Sequence, residues 1–268
     1  MSTNKNTSKG KVLVVMSGGR LLQLPDNKVY ATGYYLNELA TPLKAIIDAG
    51  YTPVFASPNG DAPTMDASSN DPKFFDGDNV ERMNTLRFID SIAELRHPQP
   101  LSRIVGNTQD YVGVFVPGGH APMVDLAKDK DLGKILVSFH ETKRPTALIC
   151  HGPIALLSAL PQTEQFDKAL NDGNAGALPS LAQGWPYAGY RVTVFTKDEE
   201  QQIEEGQLGG RAPYYNDEAL AAAGAKLQNA ASWNPNVVED RELITGQQPF
   251  SAPAFGAAFV AMLDKVSK

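Results

Sequence analysis

One cysteine stands in a chain of 268 residues, and Cys150 is the first candidate for chemistry. It ends a short apolar run, Thr146-Ala-Leu-Ile-Cys150, and His151-Gly152-Pro153 follows at once as the opening of a helix. A thiol at such a junction faces free N–H groups and the positive end of the helix dipole, which favour the nucleophilic thiolate. Gly152 relieves crowding where the chain turns. The alternative is an inert thiol packed under a helix, the common fate of a single cysteine. A lone cysteine forms no internal disulfide and excludes a multi-cysteine zinc site.

A second turn, Pro117-Gly118-Gly119-His120, closes another apolar run. Its glycines let backbone N–H groups approach a reacting carbonyl and, with the N–H of His151, form an oxyanion hole. A plain turn explains the same residues.

The elements that must position these turns alternate. Strands are expected at residues 11–16, 52–56, 111–116, 146–150 and 190–196. Helices are expected at residues 34–49 with Gly50 past the end, then at 80–94, 129–142 and 151–160. Two more are expected near 218–223 and 252–266, with Asn216 and Ser251 as N-caps. Residues 57–80, rich in Pro, Asp, Asn, Ser and Gly, read as a long loop, and 96–109 as irregular. Strand–helix alternation implies right-handed βαβ units: an α/β sandwich with a mostly parallel sheet flanked by helices. Residues 1–10 read as a flexible tail and 11–268 as one domain. The carboxyl ends of parallel strands, where both turns lie, are where ligands bind in open sheets.

Composition narrows the function. The net charge is −6 with 24 Lys and Arg scattered, which gives no reason to expect a nucleic-acid partner. No apolar run reaches the roughly 18 residues of a membrane span, and no apolar core follows the polar start as in a secretory signal. The expected location is the cytoplasm.

Three segments together resemble the ThiJ/PfpI superfamily: Val114-Phe-Val-Pro-Gly-Gly-His120, Arg144-Pro-Thr-Ala-Leu-Ile-Cys-His-Gly-Pro153 and Thr32-Gly-Tyr-Tyr-Leu-Asn-Glu38. With Leu243-Ile-Thr-Gly-Gln-Gln-Pro-Phe-Ser-Ala-Pro-Ala254 they resemble its branch of heat-shock holdase chaperones that are also glutathione-independent glyoxalases (glyoxalase III). The resemblance runs from about Val12 to Met262. It implies a flavodoxin-like, class I amidotransferase-like fold, Cys150 as nucleophile, and Glu38 as a carboxyl touching its sulfur. It implies His151 as the triad histidine and Glu200, beside Asp198 and Glu199, as its acid. A carboxyl beside a thiolate must stay protonated, so the pKa of Glu38 should rise. Gly118, Gly119 and His120 take the substrate-binding and oxyanion positions, His120 as a pocket-lining side chain.

The departures matter too. One bacterial subgroup carries a two-His, one-carboxylate metal site, but Ile47 and Thr52 stand where its helix ligands would, so no metal is expected. The amidotransferase motif Gly-X-Cys-X-Gly is incomplete: of its outer positions Gly152 fits, but Leu148 stands where the first glycine would. His97 and His140 read as solvated. Trp185, Pro186, Tyr187 and Tyr190 form an aromatic cluster that either covers the pocket or packs in the core.

The resemblance implies a cofactor-free conversion of methylglyoxal or a similar 2-oxoaldehyde to a 2-hydroxy acid, in a homodimer. The alternatives are a holdase or oxidative-stress protein, and a related cysteine hydrolase such as a peptidase or deglycase. A thiolate-stabilised, accessible Cys150 should oxidise readily.

Overall fold

The computed structural model describes residues 8–266. β1 (Lys11–Val15) leads into a hairpin of β2 (Leu21–Gln23) and β3 (Val29–Ala31), then α1 (Leu36–Asp48) and β4 (Thr52–Ser57). Next come α2 (Asn79–Ser91), the short β5 (Gln99–Pro100), β6 (Tyr111–Val116), α3 (Lys130–Glu141) and β7 (Thr146–Ile149). They are followed by α4 (Thr163–Asn171), α5 (Leu178–Leu181), β8 (Arg191–Val192), α6 (Lys197–Ile203), α7 (Asn216–Ala223) and β9 (Lys226–Leu227). β10 (Val237–Asp240), β11 (Leu243–Gly246) and α8 (Ala252–Val266) complete the described chain.

Seven strands make one sheet in the order β10-β11-β7-β6-β1-β4-β5. It is parallel except for the antiparallel edge pair β10–β11. Successive side chains of a strand point to opposite faces. Leu13, Val15, Val114, Val116 and Leu148 therefore enter one core, with α3 and the 3-10 segment Gly152–Ala159. Val12, Val14, Phe115, Ala147 and Ile149 enter the other, with α1 and α8. Strands covered on both faces are apolar throughout, which is why they were visible as continuous runs.

The architecture agrees with the expected α/β sandwich; several local expectations need correction. Only Arg191–Val192 of residues 190–196 is a strand, and it pairs with β9 in a separate ribbon. Residues 192–196 are all buried. They cross the end of the sheet, with Thr193 N–H donating to Thr245 Oγ1 (2.9 Å) and Phe195 N–H to the Cys150 carbonyl (2.9 Å). The helix after Cys150 is a 3-10 helix, not an α-helix. Asn216 is the first residue of α7, and Tyr215 is its N-cap. Ser251 ends a 3-10 turn, where its hydroxyl accepts from Asn236 N–H (3.1 Å). The helices α4 and α6 and the pair β10–β11 had not been anticipated.

The aromatic cluster belongs to the core and not to the pocket. The Trp185 indole donates to the Leu156 carbonyl (2.8 Å), the Tyr187 hydroxyl to the Leu136 carbonyl (3.0 Å), and the Tyr190 hydroxyl to Glu242 (2.8 Å). His97 is exposed, whereas His140 is half-buried against Glu242 (3.0 Å). Of the expected tail, residues 1–7 lie outside the described residues. Lys9 is tied to the Gly50 carbonyl through its N–H (2.9 Å) and to Asp264 through Nζ (2.9 Å). No helix of the described residues is long and apolar enough to cross a membrane.

Candidate active site

Two parallel strands, β6 and β7, end side by side, and the turns beyond them bring the sequence's candidate residues together. β7 ends at Ile149, and Cys150 follows with φ +61°, a left-handed conformation uncommon for a side chain of this kind. Such strain is held at functional sites because it aims a side chain, as in a nucleophile elbow. β6 ends at Val116, and Gly118 sits across from Cys150. A Cβ on Gly118 would stand 2.3 Å from Glu38 Oε2 and 2.5 Å from Cys150 Cβ. Gly119 has φ +87°, and a Cβ there would meet the Gly33 carbonyl at 2.1 Å. Only glycine allows the backbone this close to both reactive groups.

Glu38 arrives from the first turn of α1 and is fully buried. Neither carboxyl oxygen has a partner at full hydrogen-bond geometry, although the Cys150 thiol and the Gly119 N–H lie near enough to act on its charge. Burial drives its pKa up to about 8, as the sequence led us to expect, with those two groups opposing the rise.

The histidine chain is continuous. Cys150 Sγ lies 3.2 Å from His151 Nδ1, and His151 Nε2 donates to Glu200 Oε2 at 2.7 Å. His120 Nε2 donates to the other oxygen, Oε1, also at 2.7 Å. The two imidazoles are 3.9 Å apart between centroids, and His151 stacks on Phe195 at 4.6 Å. Glu200 is held well below the usual carboxylate range by the two histidines, against its own burial. The pKa of His151 falls to about 4, first through burial and then through the neighbouring His120. His120 is raised, because Glu200 outweighs its burial.

Of the three candidate acids only Glu200 reaches His151. Asp198 is exposed. Glu199 is buried but structural: it closes a capping box on Thr196 and accepts from Trp233 N–H (2.9 Å) and Gln247 Nε2 (3.1 Å).

The resting state of Cys150 corrects the sequence reading. The thiol is 2% exposed, and burial followed by the Glu38 carboxyl pushes its pKa well above the ordinary value. The short 3-10 helix behind it does not offset this. Both effects favour the thiol over the thiolate that the sequence reading expects. With Glu200 ionised, the His151 proton sits on Nε2, leaving the Nδ1 lone pair to accept the thiol proton.

His120, His151 and Glu200 are also the one group among the described residues whose atoms could hold a metal ion, all within 4.8 Å. As they stand, both Nε2 atoms are bonded to Glu200.

A cavity of about 400 Å³ opens over Cys150, His151 and His120. Its remaining wall includes Tyr35, Phe74, Phe195, Trp233 and Phe250, which sequence reading did not single out. They come from widely separated segments, and no spacing links them.

A profile described as ThiJ/PfpI family-like matches residues 29–191. The chain belongs to the ThiJ/PfpI family. Among its curated relatives in this family, a protein/nucleic acid deglycase HchA of Staphylococcus aureus is 30% identical over 254 residues, 92% of this chain and 78% of that protein. Two solved structures share the fold. A glyoxalase III from Candida albicans superposes with TM-score 0.70 at 22% identity, covering 95% of this chain and 97% of the other. A rapid encystment protein of Francisella tularensis gives TM-score 0.69 at 24% identity over 95% and 99%. The S. aureus relative agrees with the branch that Gly118-Gly119-His120 and Cys150-His151-Gly152-Pro153 resemble.

Proposed function

We propose that this protein is a cysteine-dependent enzyme that converts a 2-oxoaldehyde and water to a 2-hydroxy acid. The observation that carries this reading is the Cys150–His151–Glu200 chain lying beside a protonated, buried Glu38. The relatives support a cysteine-dependent deglycase or glyoxalase-type role; the substrate class is our own assignment.

His151 Nδ1 takes the thiol proton as sulfur adds to the aldehyde carbon, giving a hemithioacetal. The N–H of His151 stabilises the developing oxyanion, joined by the Gly119 N–H, which at rest lies against Glu38. No backbone carbonyl among the described residues accepts from either. The aldehyde C–H proton then leaves to one base while the neighbouring carbonyl carbon gains a proton, so the first carbon is oxidised and the second reduced. This internal exchange needs no external oxidant or reductant. Glu38, neutral at the start, gives and regains a proton in that transfer. The resulting thioester is hydrolysed by water, which returns the thiol.

The test is consumption of methylglyoxal without glutathione, with lactate measured as product, in wild type and Cys150→Ala. Turnover in the wild type that disappears in the variant supports the assignment. Absence of turnover in wild type with reduced Cys150, for methylglyoxal and for phenylglyoxal alike, rejects it.

A second reading is favoured by the S. aureus relative: release of oxoaldehyde adducts from proteins or nucleic acids by the same cysteine. That reading would set aside the charge-based expectation of no nucleic-acid partner. Recovery of free amine from a glycated peptide or nucleotide, dependent on Cys150, distinguishes it.

A further inference from the structure

Methylglyoxal is a poor match for this cavity. Beyond its two carbonyls it has a single methyl group, whereas the space over Cys150 is about 400 Å³. A water takes up about 30 Å³ of liquid, so that volume exceeds one small oxoaldehyde several-fold. Cavities of this size with apolar walls and a few convergent polar groups suit larger ligands.

Two groups of aromatic rings line the wall. Tyr35 and Phe74 meet edge to face at 5.3 Å, and Phe74 continues to Phe250 at 5.8 Å. Phe195 meets Trp233 edge to face at 5.8 Å, with Phe195 stacked on His151. The polar groups of the wall are committed elsewhere. Gln207 Nε2 donates to the Tyr30 hydroxyl (3.2 Å), and Lys73 pairs with Asp71 (3.3 Å) at an exposed rim. No buried cation faces the aromatic end among the described lining residues, so a phosphate or carboxylate tail finds no partner there.

Trp233 is fixed in place at a cost. Its φ is +65°, an outlier for a bulky residue, and its N–H is held by Glu199 Oε1 at 2.9 Å. The indole Nε1 donates to Gln202 Oε1 at 2.7 Å, so α6, which carries the triad acid, holds both the backbone and the ring of Trp233. A wall mounted on the catalytic helix stands at a set distance from the sulfur.

We infer that the substrate bears an aromatic or comparably bulky apolar group on the carbon beside its aldehyde, an aryl 2-oxoaldehyde in place of methylglyoxal. This inference rests on the reaction proposed above. The probes are phenylglyoxal against methylglyoxal for turnover, and mandelate against lactate for binding to Cys150→Ala, which reads the pocket without chemistry. A pocket that recognises added apolar surface discriminates by about 10-fold or more. The expected result is kcat/KM at least 10-fold higher for phenylglyoxal and mandelate binding at least 10-fold tighter than lactate. Both ratios should collapse in Trp233→Ala and in Phe250→Ala. Equal binding of mandelate and lactate, or ratios unchanged in both variants, overturns the inference. If neither aldehyde is turned over while mandelate keeps its advantage, the reaction is wrong and the ligand class stands.

Discussion

His120 and His151 share one carboxylate: each donates a 2.7 Å hydrogen bond to a different oxygen of Glu200, with their rings 3.9 Å apart. A buried carboxylate bonded only to His151 would leave an oxygen unsatisfied. His120 fills that position from the turn after β6 and so ties the oxyanion turn to the triad acid. Its pKa is raised by Glu200 while that of His151 is depressed, first by burial and then by His120, so of the two rings His120 takes a proton first and His151 stays the base.

His120→Gln should therefore retain a hydrogen bond to Glu200 and lose the charge. The acid limb of the kcat/KM profile is expected to move to higher pH, because a like charge no longer depresses His151. The rate should fall about 10-fold or more. A pH profile that keeps its acid limb while the rate drops would show that His120 acts only by packing.

Glu38 sets the opposite limb. Its proton is held up to about pH 8, so activity should decline above that value as the carboxyl ionises. Stability follows with a definite sign. Below the ordinary carboxyl value of 4.5 both folded and unfolded chains hold the proton. Between 4.5 and about 8 the unfolded chain ionises first, so this residue makes the fold steadily less stable as pH rises. The full loss is on the order of 5 kcal/mol above pH 8. Glu38→Gln should remove that slope: its Tm should match wild type near pH 5 and exceed it near pH 8.5, while turnover falls about 100-fold. Parallel Tm-against-pH curves for the two proteins would refute the buried-carboxyl account.

Gly118 gives a steric test. A methyl group there collides with both Glu38 and Cys150, so Gly118→Ala should cost about 2 kcal/mol or more and disable the site. Gly106→Ala is the control, since nothing lies within 4 Å of its added Cβ, and it should stay within about 0.5 kcal/mol of wild type. Urea unfolding and turnover, measured on both variants, decide the matter.

Much of the architecture could be read from the sequence because parallel strands buried on both faces must be apolar throughout. Runs such as Tyr111–Val116 therefore declare themselves, and the turns after them mark where a ligand binds. Helices with a continuous apolar stripe, α1 and α3, were visible for the same reason. The segment at 190–196 misled because Arg191, Thr193 and Thr196 among apolar residues give it a strand's alternation, whereas Thr193 is buried and bonded to Thr245, Asn229 and Gln247, and only Arg191–Val192 pairs as a strand.

The sequence alone determined the four parallel strands β1, β4, β6 and β7, the two turns at the carboxyl ends of β6 and β7, and a single cysteine at one of them. Resemblance then supplied Glu38, His151 and Glu200 as candidates. Tertiary structure decided the chemistry of those groups. Whether Cys150 rests as thiol or thiolate, whether Glu38 is charged, and which of Glu199 and Glu200 meets His151 depend on burial and on distances between segments far apart in the chain. The aromatic cavity arises in the same way, from rings with no common spacing. Periodicity records which side of an element is buried; pKa values and pockets come from what lies against that side, and only folding brings those neighbours together.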